Sequence, residues 1–309
     1  MSDYFGFSRG RPRRAIILAA GTGSRLREED GDLPKPLRRV GSLPLLTRVL
    51  LTLGRAGIRE AVIVLGFEAD AIREALSKDP MLEASGIHLE FVLNDNFHAK
   101  NGLSLLAARD YVNEECVLSM ADHIYSASLV RRLAARDLPD GVCALAIDHD
   151  IPRCFDLEDA TKVRLEGHLI SGIGKELEQY DALDTGVFRI SPSLIERLDH
   201  VAQTHGDCSL SDGVQALSDR GLFWGCDIGD ARWVDVDTPQ AASFAEVMLG
   251  VYGDDLEARE PQLAAMAKAP LSALQALQAQ LLGGSAALAR RAGYELAGAM
   301  SSPATSDAE

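Results

Sequence analysis

The glycine turn in Leu18-Ala-Ala-Gly-Thr-Gly-Ser-Arg-Leu26 constrains this chain more than any other stretch. It follows a short apolar run, Ala15 to Leu18, that reads as a buried strand. Gly21 and Gly23 remove side chains where a tight turn must let an anion approach backbone N–H groups. Arg25 and, within Pro34-Lys-Pro-Leu37, Lys35 then set fixed positive charge beside the turn. Strand, glycine turn and cations in that order form an anion cradle. It is not a Walker loop, because Gly21 begins no G-x-x-x-x-G-K-[ST] pattern. Nor is it a dinucleotide fingerprint, because position 26, where the third glycine belongs, holds Leu26. The glycines by themselves suit an ordinary strand-to-helix turn equally well; the cations tip the reading toward phosphate.

The pattern after the cradle alternates. Leu43 to Ala56 has helical spacing, Ala61 to Leu65 reads as a strand and Glu68 to Leu76 as a helix. His88 to Leu93 predicts a strand, Leu103 to Val112 a helix and Cys116 to Met120 a strand. Alternation of this kind predicts an α/β fold, Rossmann-like, with a doubly wound, mostly parallel sheet. Ligands in such sheets sit at the carboxyl ends of the strands, so the loops after Leu18, Leu93 and Met120 should share one rim.

The second half changes character. Val142 to Ile147, Thr161 to Leu165, Leu169 to Ile173 and Gly186 to Ile190 are short strand patterns with few helices between them. They predict a small mixed β region over the sheet. Pro192 to Val201 and Leu210 to Leu217 read as helices, Leu222 to Asp227 and Arg232 to Val236 as strands that close the sheet, and Gln240 to Leu249 as a helix. The organisation predicted is a flexible arm over 1–12, a main domain over 13–252, a helical extension over 253–300 and a disordered polar tail over 301–309. The two extension helices are too short to form a separate core, so they should pack on the main domain or pair between subunits in a homodimer.

Composition narrows the partners. A net charge of −15 argues against a nucleic-acid surface. Five cysteines with no C-x-x-C pair suit a reduced, cytoplasmic protein with inert thiols. There is no signal peptide before Ala15 and no apolar stretch long enough for membrane insertion.

Four further segments carry candidate chemistry. Asn101-Gly102-Leu103-Ser104 reads either as a plain helix start or as a rim loop offering amide, backbone and hydroxyl groups to a nucleobase. Asp122 ends an apolar strand on the cradle's rim, where a carboxylate suits Mg²⁺, although a helix N-cap is the alternative. His123 beside it is expected to support rather than ligate, since Mg²⁺ favours oxygen. In Trp233-Val-Asp-Val-Asp-Thr-Pro239, alternation puts Asp235 and Asp237 on one face; Asp237, nearer the carboxyl end, is the better metal candidate. Thr238 and Pro239 look like a helix cap and first turn. Lys162 and Lys175 are compact cations for a phosphate, or else surface lysines at strand edges.

Taken together, LAAGTGSRL, PKPL, KNGLSLL, SMADHIYS, EDATKVRLEG, GIGKELEQYDALDTGVF and WVDVDTP resemble, in order, the CTP:inositol-1-phosphate cytidylyltransferases of the sugar-phosphate nucleotidyltransferase superfamily. Phosphocholine and phosphonate cytidylyltransferases share most of these motifs. The resemblance implies a Mg²⁺-dependent transfer from CTP to a small alcohol phosphate. It implies that Ala20, Gly21, Gly23, Ser24, Arg25 and Lys35 hold the nucleotide's phosphate end, and that Asn101, Gly102 and Ser104 meet its base. It gives the metal to Asp122 and Asp237, and the acceptor to Lys162, Lys175, Asp184, Thr185 and Gly186. Arg25, Lys35, Lys162 and Lys175 are then the catalytic cations. Some family members are fused to a membrane-bound di-inositol phosphate synthase; where that domain would follow, a short helical extension is expected here. That leaves a downstream CDP-alcohol-using transferase as an expected but undefined partner. A reading of another class, a non-catalytic nucleotide-sensing subunit, could dispense with the cations and carboxylates; Arg25, Lys35, Asp122 and Asp237 are all present, which favours the enzyme.

Overall fold

An unbroken apolar strand is stable only where both its faces are covered. The computed structural model describes residues 10–26 and 33–257, and in it that strand is β1 (Arg14–Ala19), buried on both sides in the middle of a sheet. The calls on 1–9, on 258–300 and on the 301–309 tail lie outside the described residues. Two short strands, β2 (Arg39–Val40) and β3 (Leu43–Pro44), lead into α1 (Leu45–Ala56). Then come β4 (Glu60–Leu65), α2 (Ala69–Ser77), α3 (Pro80–Ser85), β5 (His88–Leu93), α4 (Asn101–Ala107) and β6 (Cys116–Met120). After β6 follow β7 (His123–Tyr125), α5 (Ala127–Ala135), β8 (Cys143–Asp148), β9 (Lys162–Glu166), β10 (Leu169–Gly174) and β11 (Ala182–Ile190). The described chain closes with α6 (Pro192–His205), α7 (Leu210–Ser218), β12 (Phe223–Asp227), β13 (Trp233–Asp235) and α8 (Pro239–Tyr252).

Nine strands form one sheet in the order β5-β4-β1-β6-β11-β8-β12-β10-β9. The first half is parallel as the alternation predicts, with Ile17 beside Ile63 on one side and Ser119 on the other. Ala15, Ile17 and Ala19 pack toward α1, α2 and α5, while Ile16 and Leu18 pack toward α4, α6 and α7. The loops after β1, β5 and β6 therefore leave the sheet at one rim.

Two details refine the expected layout. The mixed strands continue the same sheet instead of forming a separate layer: β11 runs antiparallel to both β6 and β8, and β9 and β10 form the outer hairpin. Their connections are too short for a crossover helix, so they turn back antiparallel. Arg232 to Val236 does not close the main sheet. Its strand, β13, pairs antiparallel with β7, Asp235 opposite His123, and α8 covers the pair with Phe244, Val247 and Met248. This ribbon stands on the rim and carries the acidic residues to it.

Candidate active site

The cradle forms as its residues predict. Gly23 has φ +61, and a Cβ there would lie 2.5 Å from the Lys35 Cβ, so the turn and the lysine fit together only with glycine. A Cβ on Gly21 would meet no protein atom within 4 Å, which leaves that side of the turn open. Lys35 opens a short 3₁₀ turn that follows Pro34 and is itself buried. Ala19, Gly21 to Arg25, Lys35, Asp122 and Asp237 line a cleft of about 320 Å³.

The Lys35 ammonium donates to Asp122 Oδ2 at 2.7 Å and also to Asp237. Burial alone would lower its pKa, but the charges of Asp122, Asp237 and Asp235 outweigh that and hold it raised. Asp122 sits in the turn between β6 and β7, so the helix-cap alternative is not realised. Burial pushes its carboxyl up, but Lys35 and His123 overcome that and hold it well below the usual carboxylate range. Arg25 donates to Asp159 at 2.6 Å and to Asp237. Lys175 donates to the other oxygen of Asp159 at 2.5 Å.

His123 is clamped from four sides. Its Nδ1 is 2.9 Å from Asp122 Oδ1 and 3.7 Å from Asp235, and its ring stacks on Trp233 with 9° between planes. Beneath it, Gly186 has φ +74, and a Cβ there would come within 2.5 Å of the ring. Burial would lower its pKa, but Asp235 and Asp122 together raise it to about 9.

Carboxylate oxygens gather in two overlapping sets within 4.8 Å of one another: Asp122 and Asp235 with His123, and Asp159 and Asp235 with Asp237. The Oδ1 of Asp235 is buried without a hydrogen-bond partner, and burial raises that carboxyl to about 6. An orphaned buried oxygen among carboxylates from separate loops fits a hard divalent cation such as Mg²⁺. Asp235 belongs to both sets, Asp122 to one and Asp237 to the other. Alternation had pointed to Asp235 only as the lesser neighbour of Asp237.

Next to the cradle, and sharing Arg25, Asp122 and Asp237 with it, opens a second cavity of about 560 Å³. Lys175, Asp184 and Gly186 line it. Asp184 accepts from the Gly186 N–H at 2.7 Å, and burial raises its carboxyl to about 6. Thr185 points away, donating to the Ala146 carbonyl at 2.8 Å. Lys162 does not line the cavity; its buried ammonium donates to the Glu158 carbonyl at 3.0 Å and so anchors the loop that carries Asp159.

The Asn101 segment starts a helix, α4, as one of its two readings expects. Asn101 lines the cavity, but its Oδ1 accepts from the Leu210 N–H at 2.9 Å and ties α4 to the start of α7. Gly102 N–H donates to the Cys208 carbonyl at 3.0 Å, and buried Ser104 accepts from Asn94 at 3.0 Å.

A glycine cradle after the first strand, joined through two cations and a carboxylate cluster to an acceptor-sized cavity, defines a nucleotidyltransferase. The chain belongs to the family of the MobA-like NTP transferase domain, whose model matches residues 15–293. It is 38% identical over 237 residues to the bifunctional IPC transferase and DIPP synthase of Rubrobacter xylanophilus, covering 76% of this chain and 51% of the relative. It is 29% identical over 243 residues to the CMP-5'-(3-aminopropyl)phosphonate synthase of Streptomyces rubellomurinus, covering 74% of this chain and 37% of that one. Among solved structures it resembles the inositol-1-phosphate CTP transferase from T. maritima, with TM-score 0.65, 28% identity, and coverage of 76% of this chain and 93% of that one. The chain thus spans about half the length, or less, of the curated relatives it matches.

Proposed function

We propose that this protein is a cytidylyltransferase that converts CTP and inositol-1-phosphate to CDP-inositol and pyrophosphate. The observation that carries the reading is the junction of the two cavities at Arg25, Asp122 and Asp237, with Lys35 on the cradle side, where a nucleotide phosphate and an acceptor phosphate can meet. The similarity to the T. maritima transferase, over 93% of its length, supports this choice of nucleotide and acceptor.

The chemistry asks little of the protein beyond charge and placement. An acceptor phosphate has its second pKa at about 6, so near neutrality it is a dianion and needs no general base. One of its oxygens attacks the α-phosphorus of CTP, the bond from that phosphorus to the β-bridging oxygen breaks, and pyrophosphate leaves with the electron pair. Lys35 and Arg25 neutralise the departing charge, and Lys175 meets the acceptor phosphate. Asp122, Asp235 and Asp237 would hold Mg²⁺, which supplies further neutralisation and orients the triphosphate. Full turnover in excess chelator would remove the metal from this scheme.

The cavity favours a polyol over a quaternary ammonium acceptor. Choline recognition needs an open aromatic face. Here Trp233 is stacked by His123, Tyr252 carries the Arg232 guanidinium at 3.8 Å, and Phe155 stacks on Phe244. Asp184 offers acceptor oxygens to ring hydroxyls instead. A phosphonate would need only the cations and a small pocket. Comparing kcat/KM with CTP for inositol-1-phosphate, phosphocholine and 2-aminoethylphosphonate tests the choice. Inositol-1-phosphate should lead, by up to about 10⁴-fold over acceptors that lack the hydroxyls; a lead for either rival overturns the acceptor while keeping the reaction. Further parts of the proposal are a cytoplasmic setting, which the free and mostly buried thiols suit, and a separate transferase that consumes the CDP-alcohol.

A further inference from the structure

Asp159 lies in the loop before β9, and its two oxygens are held by cations from the two different substrate sites. Arg25 of the nucleotide cradle donates to one at 2.6 Å, and Lys175 of the acceptor cavity donates to the other at 2.5 Å. These partners pull its carboxyl below the usual range against the opposing effect of burial. Both cations are about half exposed, at 54% and 48% of their side chains. Ion pairs of that kind hold weakly and are readily exchanged for a stronger anion. The loop itself is fixed, because buried Lys162 grips the neighbouring Glu158 carbonyl. A rotation of the Asp159 side chain would then give up its bonds to both cations, leaving Arg25 paired with Asp237 alone.

We infer that Asp159 is an internal stand-in for substrate phosphate, and that its displacement couples the two substrate sites. With Asp159 inward, both Arg25 and Lys175 are occupied. With it outward, Lys175 is released for the acceptor, and Arg25, still paired with Asp237, has one guanidinium nitrogen released for the triphosphate. Either ligand binds only the outward state, so each shifts the population for the other. The ligand that binds first bears the displacement, and the second binds tighter by the same factor. The device also keeps the cations paired with protein when no substrate is present. The inference rests on the proposed function only in taking CTP and a phosphate monoester as the two ligands.

The two-state scheme makes an unusual quantitative demand. Removing the charge with Asp159→Asn should tighten each ligand alone, and should reduce their mutual tightening by the same factor. A through-space charge effect would tighten both binary and ternary complexes and leave the coupling unchanged. The test is calorimetric, with Mg²⁺ present, on the full chain. Its probes are a CTP analogue with a methylene bridge between the α- and β-phosphorus, and methyl phosphate, which carries the charge and no polyol. In the parent, the analogue should tighten methyl phosphate at least about fivefold. In Asp159→Asn each probe should bind at least about fivefold tighter alone, with the coupling factor near one. Unchanged coupling in the variant overturns the inference. So does weaker binding of either probe, or loss of Mn²⁺ binding, either of which would make Asp159 a ligand rather than a stand-in. Pyrophosphate release with inositol-1-phosphate, measured separately, reports on the acceptor and leaves this result interpretable either way.

Discussion

Lys35 joins the glycine turn to the carboxylates. Its stem closes the Gly23 turn and its ammonium bridges Asp122 and Asp237. Lys35→Ala keeps the Cβ that Gly23 packs against and removes the charge. It should lower kcat by about 10²-fold or more, since that charge is aimed at the departing pyrophosphate; turnover at the parent rate would take Lys35 out of the mechanism. Asp235 gives a second prediction. Its orphaned Oδ1, shared by both carboxylate sets, is the reason to propose it as a metal ligand. Asp235→Asn should weaken Mn²⁺ binding, read by electron paramagnetic resonance on the protein without substrate, by at least about tenfold. Parent-like affinity would return Asp235 to a purely structural role.

At the scale of elements, the β7–β13 ribbon decides how the site is built. It sets His123 opposite Asp235, and β11 supplies the bare floor of Gly186 beneath the ring. Gly186→Ala meets both an unfavourable φ and the imidazole, and should cost roughly 1–3 kcal/mol of stability and move His123 off Asp122. A melting temperature equal to the parent's would mean the ring seat is loose. The ribbon also explains what the sequence conceals. The strand and helix periods of the first half were legible because each element buries its own apolar stripe. His88 to Leu93 and Cys116 to Met120 form strands over the stretches read from the pattern. The three residues of β7 carry no period of their own, and α5 follows too closely to stand apart. The partner of β13 was therefore hidden, and with it the meeting of Asp122, His123 and Asp235. The cradle was legible because glycines and cations are local. Asp159 was not, because its importance arises from two cations distant in sequence, at positions 25 and 175.

For the whole molecule, the sheet divides its labour along its width. The parallel half presents the glycine cradle, and the antiparallel half, through β10 and β11, lines the larger cavity. The proposed reaction would bring two anionic substrates together at that seam in a protein whose net charge is −15. Arg25, Lys35 and Lys175 are each held by an aspartate in the described structure. That arrangement suits an enzyme that stores positive charge until substrate arrives, and suits a passive nucleotide sensor poorly. The most direct test is to incubate the protein with CTP, inositol-1-phosphate and Mg²⁺ and to follow the products by phosphorus NMR. The account predicts stoichiometric pyrophosphate and a new diphosphate diester, both absent when the acceptor is omitted. CTP bound and recovered intact, with no pyrophosphate for any of the three acceptors, would contradict it.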